Sequence, residues 1–459
     1  MDRSKKRINK SAKRDNLLFE KTSDIRFDNQ KKLSKRRVFN LAKGPKPTIK
    51  AIDVSPPKLM GHFQCDRYGK NLVLDGFGGI RVYNLPVERK DVVTQSKDSD
   101  IEDVVDDWEQ LVRKESNDHA SVQSVIMSEC NDLNFNLLNG YVPLKDGGNE
   151  VSFNGIIRDR TAGMRWLIKH HKNFKCDDSK RLFDIDFFAG NGVIRSIMTS
   201  QFSQYEEVAH IGVTLFKGTY YMYDVSPSDE RGGEVNNKRS FAGLRFEDFV
   251  SRGMNGEESG PSNGEQNNYA DSIKYHNVVQ FNFHNFKMLV AGEVDCVIPG
   301  SSAAMGKKPK VDDFIEIKTS APLEDRYNPS RKSLAFRCGK ISSWYAQCIL
   351  MGVKHVVVGV RDEKDECDKI TVNRTHAFTL EELRQNSNGF WSKNRCFDDL
   401  RKFLCVVKEK VIVDDPEIIN VFVVRDGVIS DPVKKKYEDD PIHFPDNSEV
   451  VKLMNKLLL

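Results

Sequence analysis

Charge falls at every second position inside two otherwise apolar runs, and few folds accommodate that. In "AGEVDC", Glu293 and Asp295 stand two residues apart, and in "FIEIKTS", Glu316 and Lys318 do the same. Side chains alternate across a β-strand, so each pair is expected to share one face. Phe314 joins the face of Glu316 and Lys318, whereas Ile315 and Ile317 should point the other way, into apolar packing. Twenty residues separate Asp295 from Glu316, with Pro299, Gly300, Gly306 and Pro309 among them. That is a comfortable connection between neighbouring strands. If the two strands pair, three carboxylates and one ammonium group converge on a single patch.

Oxygen-rich anionic patches suit hard divalent ions such as Mg²⁺ or Mn²⁺, which also accept phosphate oxygens as ligands. Without such an ion the carboxylates would repel one another and take up protons. Two ions roughly 3.5–4 Å apart can stabilise the attacking and leaving oxygens of a phosphodiester hydrolysis. A lysine beside them can neutralise charge that builds in the transition state, or help to deprotonate the attacking water. An acid, a long gap and then Glu-x-Lys is the arrangement of the PD-(D/E)xK nuclease core. By spacing alone, however, it describes equally well a strand that turns ordinary charges to solvent. Two further residues bear on the choice. Glu247 lies in "GLRFE" on a predicted helix, with Gly243 and Phe246 placed to pack against a sheet, and Gln347 lies in "WYAQCIL" on a second one.

Elsewhere the texture is that of a mixed α/β (α+β) domain. Residues 208–225 hold two β-prone runs split by Lys217-Gly218, a hairpin signal. Short strands are expected across 61–86 and 278–298, and a buried strand across 355–362. Helices are expected over 90–118, 162–174, 240–253, 341–353 and 397–412, and a flexible loop over 254–270. The 459 residues are 39% hydrophobic, which is ample for a core and excludes a wholly disordered chain. No apolar run reaches the eighteen or so residues of a membrane helix, and no apolar segment of a secretory signal follows Lys5-Lys6-Arg7. Nine cysteines with no C-x-x-C pair read as reduced thiols and argue against a structural zinc site.

The net charge of +4 hides an asymmetry: residues 1–50 carry 17 Lys and Arg against 5 Asp and Glu, about +12, which leaves the remainder near −8. Residues 1–48 are therefore expected to form a basic, disordered arm suited to a polyanion, ahead of one large domain over 49–459. The clusters Lys5-Lys6-Arg7 and Lys35-Arg36-Arg37 resemble nuclear-import signals. Localisation in the nucleus, the cytoplasm or both follows as an expectation.

Several segments, in order, resemble the DXO-type decapping exoribonucleases. "GLRFE" (243–247) is similar to that family's Gly-φ-x-φ-Glu motif, "GEVDC" (292–296) to its Glu-φ-Asp motif, and "EIKTS" (316–320) to its Glu-φ-Lys motif. "WYAQCILMGV" (344–353) resembles the helix that supplies an active-site glutamine, and "VTLFKGTYYMYDV" (213–225) the hairpin before the Glu-bearing helix. The likeness implies two β-sheets flanked by helices around a PD-(D/E)xK core. It also implies hydrolytic removal of incomplete or NAD caps from RNA 5′ ends, with 5′–3′ exoribonuclease activity. Two divalent ions are implied, with Glu247, Glu293, Asp295, Glu316 and the backbone carbonyl of Ile317 as ligands. Lys318 and Gln347, beside Glu316, would act on the scissile phosphate and its attacking water. NAD would be part of the RNA substrate rather than a cofactor.

One stretch departs from the family pattern. In "FAGNGVIRSIMTS" (188–200), Asn191 stands where the family carries an arginine, and Gly190 where a Trp is usual. Asn191 can hydrogen-bond a phosphate oxygen but brings no charge, and Arg195 would restore one if residues 192–199 are helical and that face looks inward. The substitution leaves open an alternative, a catalytically weakened protein that binds RNA 5′ ends or braces a partner exoribonuclease. "GNGVIR" lacks the third glycine of a dinucleotide loop and is not read as one.

Overall fold

The structure, a computed structural model, describes residues 51–65, 72–76, 80–84, 131–138, 161–178, 180–202, 208–225, 234–253, 273–320, 331–364, 369–385, 391–436 and 447–457. The basic arm, the helix expected over 90–118 and the loop over 254–270 lie outside the described residues.

In chain order the strands are β1 (Lys58–Cys65), β2 (Val73–Leu74), β3 (Arg81–Tyr83), β4 (Asn131–Asn136), β5 (Phe187–Gly190), β6 (Ala209–Phe216), β7 (Thr219–Asp224), β8 (Ser251–Gly253), β9 (Lys274–Phe283), β10 (Phe286–Glu293), β11 (Cys296–Val297), β12 (Phe314–Ser320), β13 (His355–Lys364), β14 (Lys369–Thr379), β15 (Ile418–Arg425), β16 (Val428–Ile429) and β17 (Val433–Lys436). The helices are α1 (Ala162–Lys169), α2 (Asn191–Thr199), α3 (Glu234–Phe249), α4 (Arg331–Ile349), α5 (Leu380–Gln385), α6 (Lys393–Lys410) and α7 (Asn447–Lys456). One sheet runs β16-β15-β6-β7-β5-β10-β9-β1-β2, with β17 also on β15, and the other runs β4-β14-β13-β12-β11-β3-β8. Two sheets flanked by helices is the mixed α/β architecture the sequence led us to expect.

The β6–β7 hairpin forms where Lys217-Gly218 predicted it. Both turn residues take positive φ, 50° and 75°, the backbone that matches the twist of a tight antiparallel pair. A larger apolar core joins Phe187, Met288 and Val290 of the large sheet to Phe314, Val356 and Val358 of the small one, together with side chains of α2, α4 and α6. Ile315 and Ile317 enter a second core with Ala242 and Phe246 of α3 and Val357 of β13. Strand β12 therefore alternates as its sequence implied, with Ile315 and Ile317 in apolar packing and Glu316 and Lys318 on the other face beside Phe314, which enters the larger core. Phe246 reaches β13 because Gly359 has no side chain; a Cβ there would stand 2.6 Å from its ring.

Three expectations are corrected. The helix read as 240–253 ends at Phe249, because Ser251–Gly253 finds a strand partner in Arg81–Tyr83. The stretch 162–174 is α1 followed by a single 3₁₀ turn, His171–Phe174. Most informative is "AGEVDC", which is not one strand. β10 ends at Glu293 in the large sheet, and β11 begins at Cys296 in the small one, so the chain changes sheets across Val294 and Asp295. The period-two rule does not apply through that crossing, and Glu293 and Asp295 reach the same place from different sheets.

Candidate active site

The crossing sets two acids at the seam of the sheets. β11 pairs antiparallel with β12, Cys296 opposite Ile315. One step further along that register, Asp295 comes level with Glu316 and caps the edge of β12, its Oδ2 accepting the Ile317 N–H at 2.7 Å. In an extended strand the N–H and C=O of one residue face the same edge, so the Ile317 carbonyl points toward Asp295 as well.

Lys318 Nζ lies 3.6 Å from Asp295 Oδ2 and forms an ion pair with Glu316 Oε1. Glu316 is 1% exposed. The same Glu316 oxygen accepts a hydrogen bond from Gln347 Nε2 on α4, so strand and helix meet on one carboxylate. Glu247, in the last turns of α3, pairs with Lys274 Nζ at 3.0 Å, and that ammonium lies 3.2 Å from Glu293 Oε1. The sequence reading missed Lys274, the first residue of β9. Nothing local marks it, because its meaning arises only when β9 pairs with β10 and sets it between acids from two elements.

Helix α2 closes one side. Asn191 is buried, and its Nδ2 donates to the Gln347 carbonyl at 2.9 Å. Arg195, one turn on, is half-buried with Nη1 3.5 Å from Gln347 Oε1. Residues 192–199 are helical and Arg195 faces the site, the two conditions under which it could replace the missing charge. Asn191, by contrast, is committed to the α4 backbone. Phe314, Trp344 and Tyr345 are at most 4% exposed and pack in the core.

Electrostatically the site is acidic: four carboxylates against the ammonium groups of Lys274 and Lys318. Burial pushes Glu316 up to about 8; Asp295 adds repulsion, and Lys318 opposes the shift. Burial also pushes Glu247 up to about 7, with Lys274 opposing and Asp295 and Glu293 reinforcing. Burial alone would lower Lys274 and Lys318, but the carboxylates around them win and hold both raised, as cations.

Among the described residues, no three His, Cys, Asp or Glu side chains are gathered closely enough to hold a metal ion as they stand. Lysine nitrogens sit between the acids instead. The donor set nonetheless fits hard divalent ions: all are oxygens, and four carboxylates outnumber the two ammonium groups set between them. Such a site can bind cations and hold a phosphate among ammonium, amide and guanidinium groups.

Residues 101–432 match the family described as RAI1-like PD-(D/E)XK nuclease. The mouse decapping and exoribonuclease protein is 26% identical over 270 residues, 56% of this chain, and the chain spans only 62% of that relative's length. Among solved structures, Rai1 of Scheffersomyces stipitis in complex with (3′-NADP)⁺ and calcium ion superposes with a TM-score of 0.58 at 16% identity, covering 89% of this chain and 98% of that one. Rai1 of Candida albicans in complex with pU5 and Mn²⁺ gives 0.54 at 16%, covering 89% and 97%. At these identities the superpositions speak to fold.

Proposed function

This chain belongs to the RAI1-like PD-(D/E)XK nuclease family, and from that premise we propose that it hydrolyses RNA at the 5′ end, removing incomplete or NAD caps in a metal-dependent reaction and then degrading the exposed strand 5′ to 3′. The observation that carries the reading is Glu316: a buried carboxylate fixed between Lys318 and Gln347, with Asp295 on the adjoining edge. Similarity to proteins named as decapping nucleases and exoribonucleases supports it, as does the pU5 complex of the Candida albicans protein.

Glu247, Glu293, Asp295, Glu316 and the Ile317 carbonyl would hold two divalent ions, Mg²⁺ or Mn²⁺. Bound there, these supply charge neutralisation and a more acidic water. Lys318 stays protonated beside Glu316 and Asp295, so it acts as a fixed positive charge with N–H donors for a phosphate oxygen as negative charge builds on it. The Gln347 amide, held at both ends, orients the water beside the phosphate. In the overall reaction the water oxygen bonds to phosphorus while the bond to the cap-side oxygen breaks, and that oxygen leaves with a proton.

Incubation with 5′-labelled capped, NAD-capped and 5′-monophosphate RNAs in Mg²⁺ or Mn²⁺ tests the reading. Turnover should disappear in the doubly substituted D295A/E316A protein, and products unchanged by that pair would overturn it. One observation favours a second reading, a weakened relative that binds 5′ ends or braces a partner exoribonuclease. Asn191 is uncharged and turned into the α4 backbone. Metal-dependent turnover above that of D295A/E316A excludes it. We further assign the protein to the nucleus, the cytoplasm or both, on the basic clusters of residues 1–48.

A further inference from the structure

The chemistry Gln347 offers depends on which way its side-chain amide is turned. A glutamine amide has nearly the same shape when rotated by half a turn, yet rotation exchanges a donor for an acceptor. With Nε2 toward Glu316 the amide donates to a carboxylate; turned over, Oε1 would face that carboxylate, oxygen against oxygen. Two contacts from α2 bear on the residue, one on its backbone and one on its side-chain amide, and the second bears on the orientation. Asn191 Nδ2 donates to the Gln347 main-chain carbonyl at 2.9 Å, and Arg195 Nη1 reaches Gln347 Oε1 at 3.5 Å. These residues are four apart on a helix, one turn, and so lie on one face. The helix therefore grips the same residue by backbone and by side chain. Gly292 permits the approach: a Cβ there would stand 2.8 Å from Asn191 Cβ and 3.0 Å from the Met351 sulfur.

We propose that Arg195 is a positioning residue: its guanidinium fixes the orientation of the Gln347 side-chain amide, and Asn191 fixes the α4 backbone beneath it. An arginine can donate but never accept, so it tolerates only Oε1 on its side and thereby assigns Nε2–H to Glu316. The pair Asn191 and Arg195 divides two tasks along one helical turn. Asn191 supplies anchorage without charge, and Arg195 supplies polarity. The kinetic consequence rests on the hydrolase reading, whereas the geometric one does not.

Arg195→Met keeps much of the side chain's length and removes its donors. In the folded enzyme with Mn²⁺ and 5′-monophosphate RNA, it should lower kcat on the order of tenfold with KM little changed, the signature of lost alignment. The same substitution in a Gln347→Ala background should then have no further effect, because the group it acts through is gone. Arg195→Lys, a donor without the planar fork, should recover part of the rate. Direct grip on substrate would instead raise KM, lower the salt dependence of binding and persist in Q347A; that result overturns the proposal. A readout independent of turnover is the Gln347 side-chain ¹⁵N–¹H₂ signal, assigned by its loss in Q347A. Arg195→Met should shift and broaden it as the amide begins to rotate. An unchanged signal in a folded R195M protein overturns the proposal even if the wild type proves inactive, and a shifted signal in an inactive wild type sustains it while refuting the hydrolase reading.

Discussion

Glu316 and Glu247 bind protons more tightly in the folded chain than they would when unfolded, because burial and like-charged neighbours raise them to about 8 and about 7. By linkage their contribution is fully present below the unfolded value, near pH 4.5, and is lost as pH rises through 7 and 8. With a chelator present, the thermal midpoint of the wild type should therefore drop relative to Glu316→Gln across pH 5 to 9. Saturating Mn²⁺ should reverse that trend, since a cation that binds the ionised carboxylates stabilises the native state more as they lose protons. Calorimetry of both proteins, with and without Mn²⁺, checks this; a wild-type midpoint that rises against E316Q in chelator would refute the raised values. Lys274 leads to a second prediction at this scale. Its ammonium lies within 3.2 Å of acids on two elements, so it competes with any cation they bind. Lys274→Met should tighten Mn²⁺ binding several-fold by titration calorimetry. It should cost the metal-free protein roughly 1–3 kcal/mol, discounted from the buried-pair value because solvent reaches part of the side chain.

The strands and helices matter here through where they stop. β10 ends one residue after Gly292, and the close approach of α2 and Met351 depends on the missing side chain at that glycine. Gly292→Ala should destabilise the fold by about 1–3 kcal/mol through overpacking. It should also lower activity, because pushing Asn191 away shifts the helix that holds Gln347. Gly192→Ala, on the exposed side of α2 where an added Cβ meets nothing within 4 Å, should instead stabilise by roughly 0.5–1 kcal/mol. Equilibrium denaturation separates the two, and equal losses would count against the packing argument. The same elements show where sequence reasoning holds and where it fails. The Lys217-Gly218 turn, the alternation of Phe314 through Lys318 and the amphipathic α6, whose amino end is capped by the Ser392 hydroxyl, are local physics and could be read directly. The end of α3 at Phe249 could not, because it depends on a partner strand about 170 residues away, Arg81–Tyr83. Nor could the sheet change between Glu293 and Asp295. Strand periodicity makes those two acids neighbours on one face, and they do meet Glu316 and Glu247 at one site, but through tertiary crossing instead. Lys274 has no local signature at all.

Across the whole molecule, charge is divided rather than balanced: about +12 in residues 1–50 and about −8 in the rest. No helix among the described residues is long and apolar enough to cross a membrane. Taken together, residues 51–459 carry a mildly negative net charge, and the proposed chemistry requires an RNA 5′ end to enter a site with four carboxylates. The cationic groups inside it, Lys274 and Lys318, are already engaged with those acids and contribute little attraction at a distance. Residues 1–48 are the most densely basic stretch of the chain, so the reach for RNA is expected to come from them and the chemistry from residues 51–459. Deleting residues 1–48 should weaken RNA binding at low salt. The slope of log K against log salt should become shallower by about 2 or more, the share of some three neutralised phosphates on a single strand. The rate at saturating short RNA should stay within about twofold of the full chain, because uniform binding affects KM rather than kcat. Filter binding from 50 to 300 mM salt, with single-turnover rates on the same RNAs, makes the comparison. If the shortened protein keeps the full slope, the capture of RNA belongs to residues 49–459, and the division of labour argued from charge is wrong.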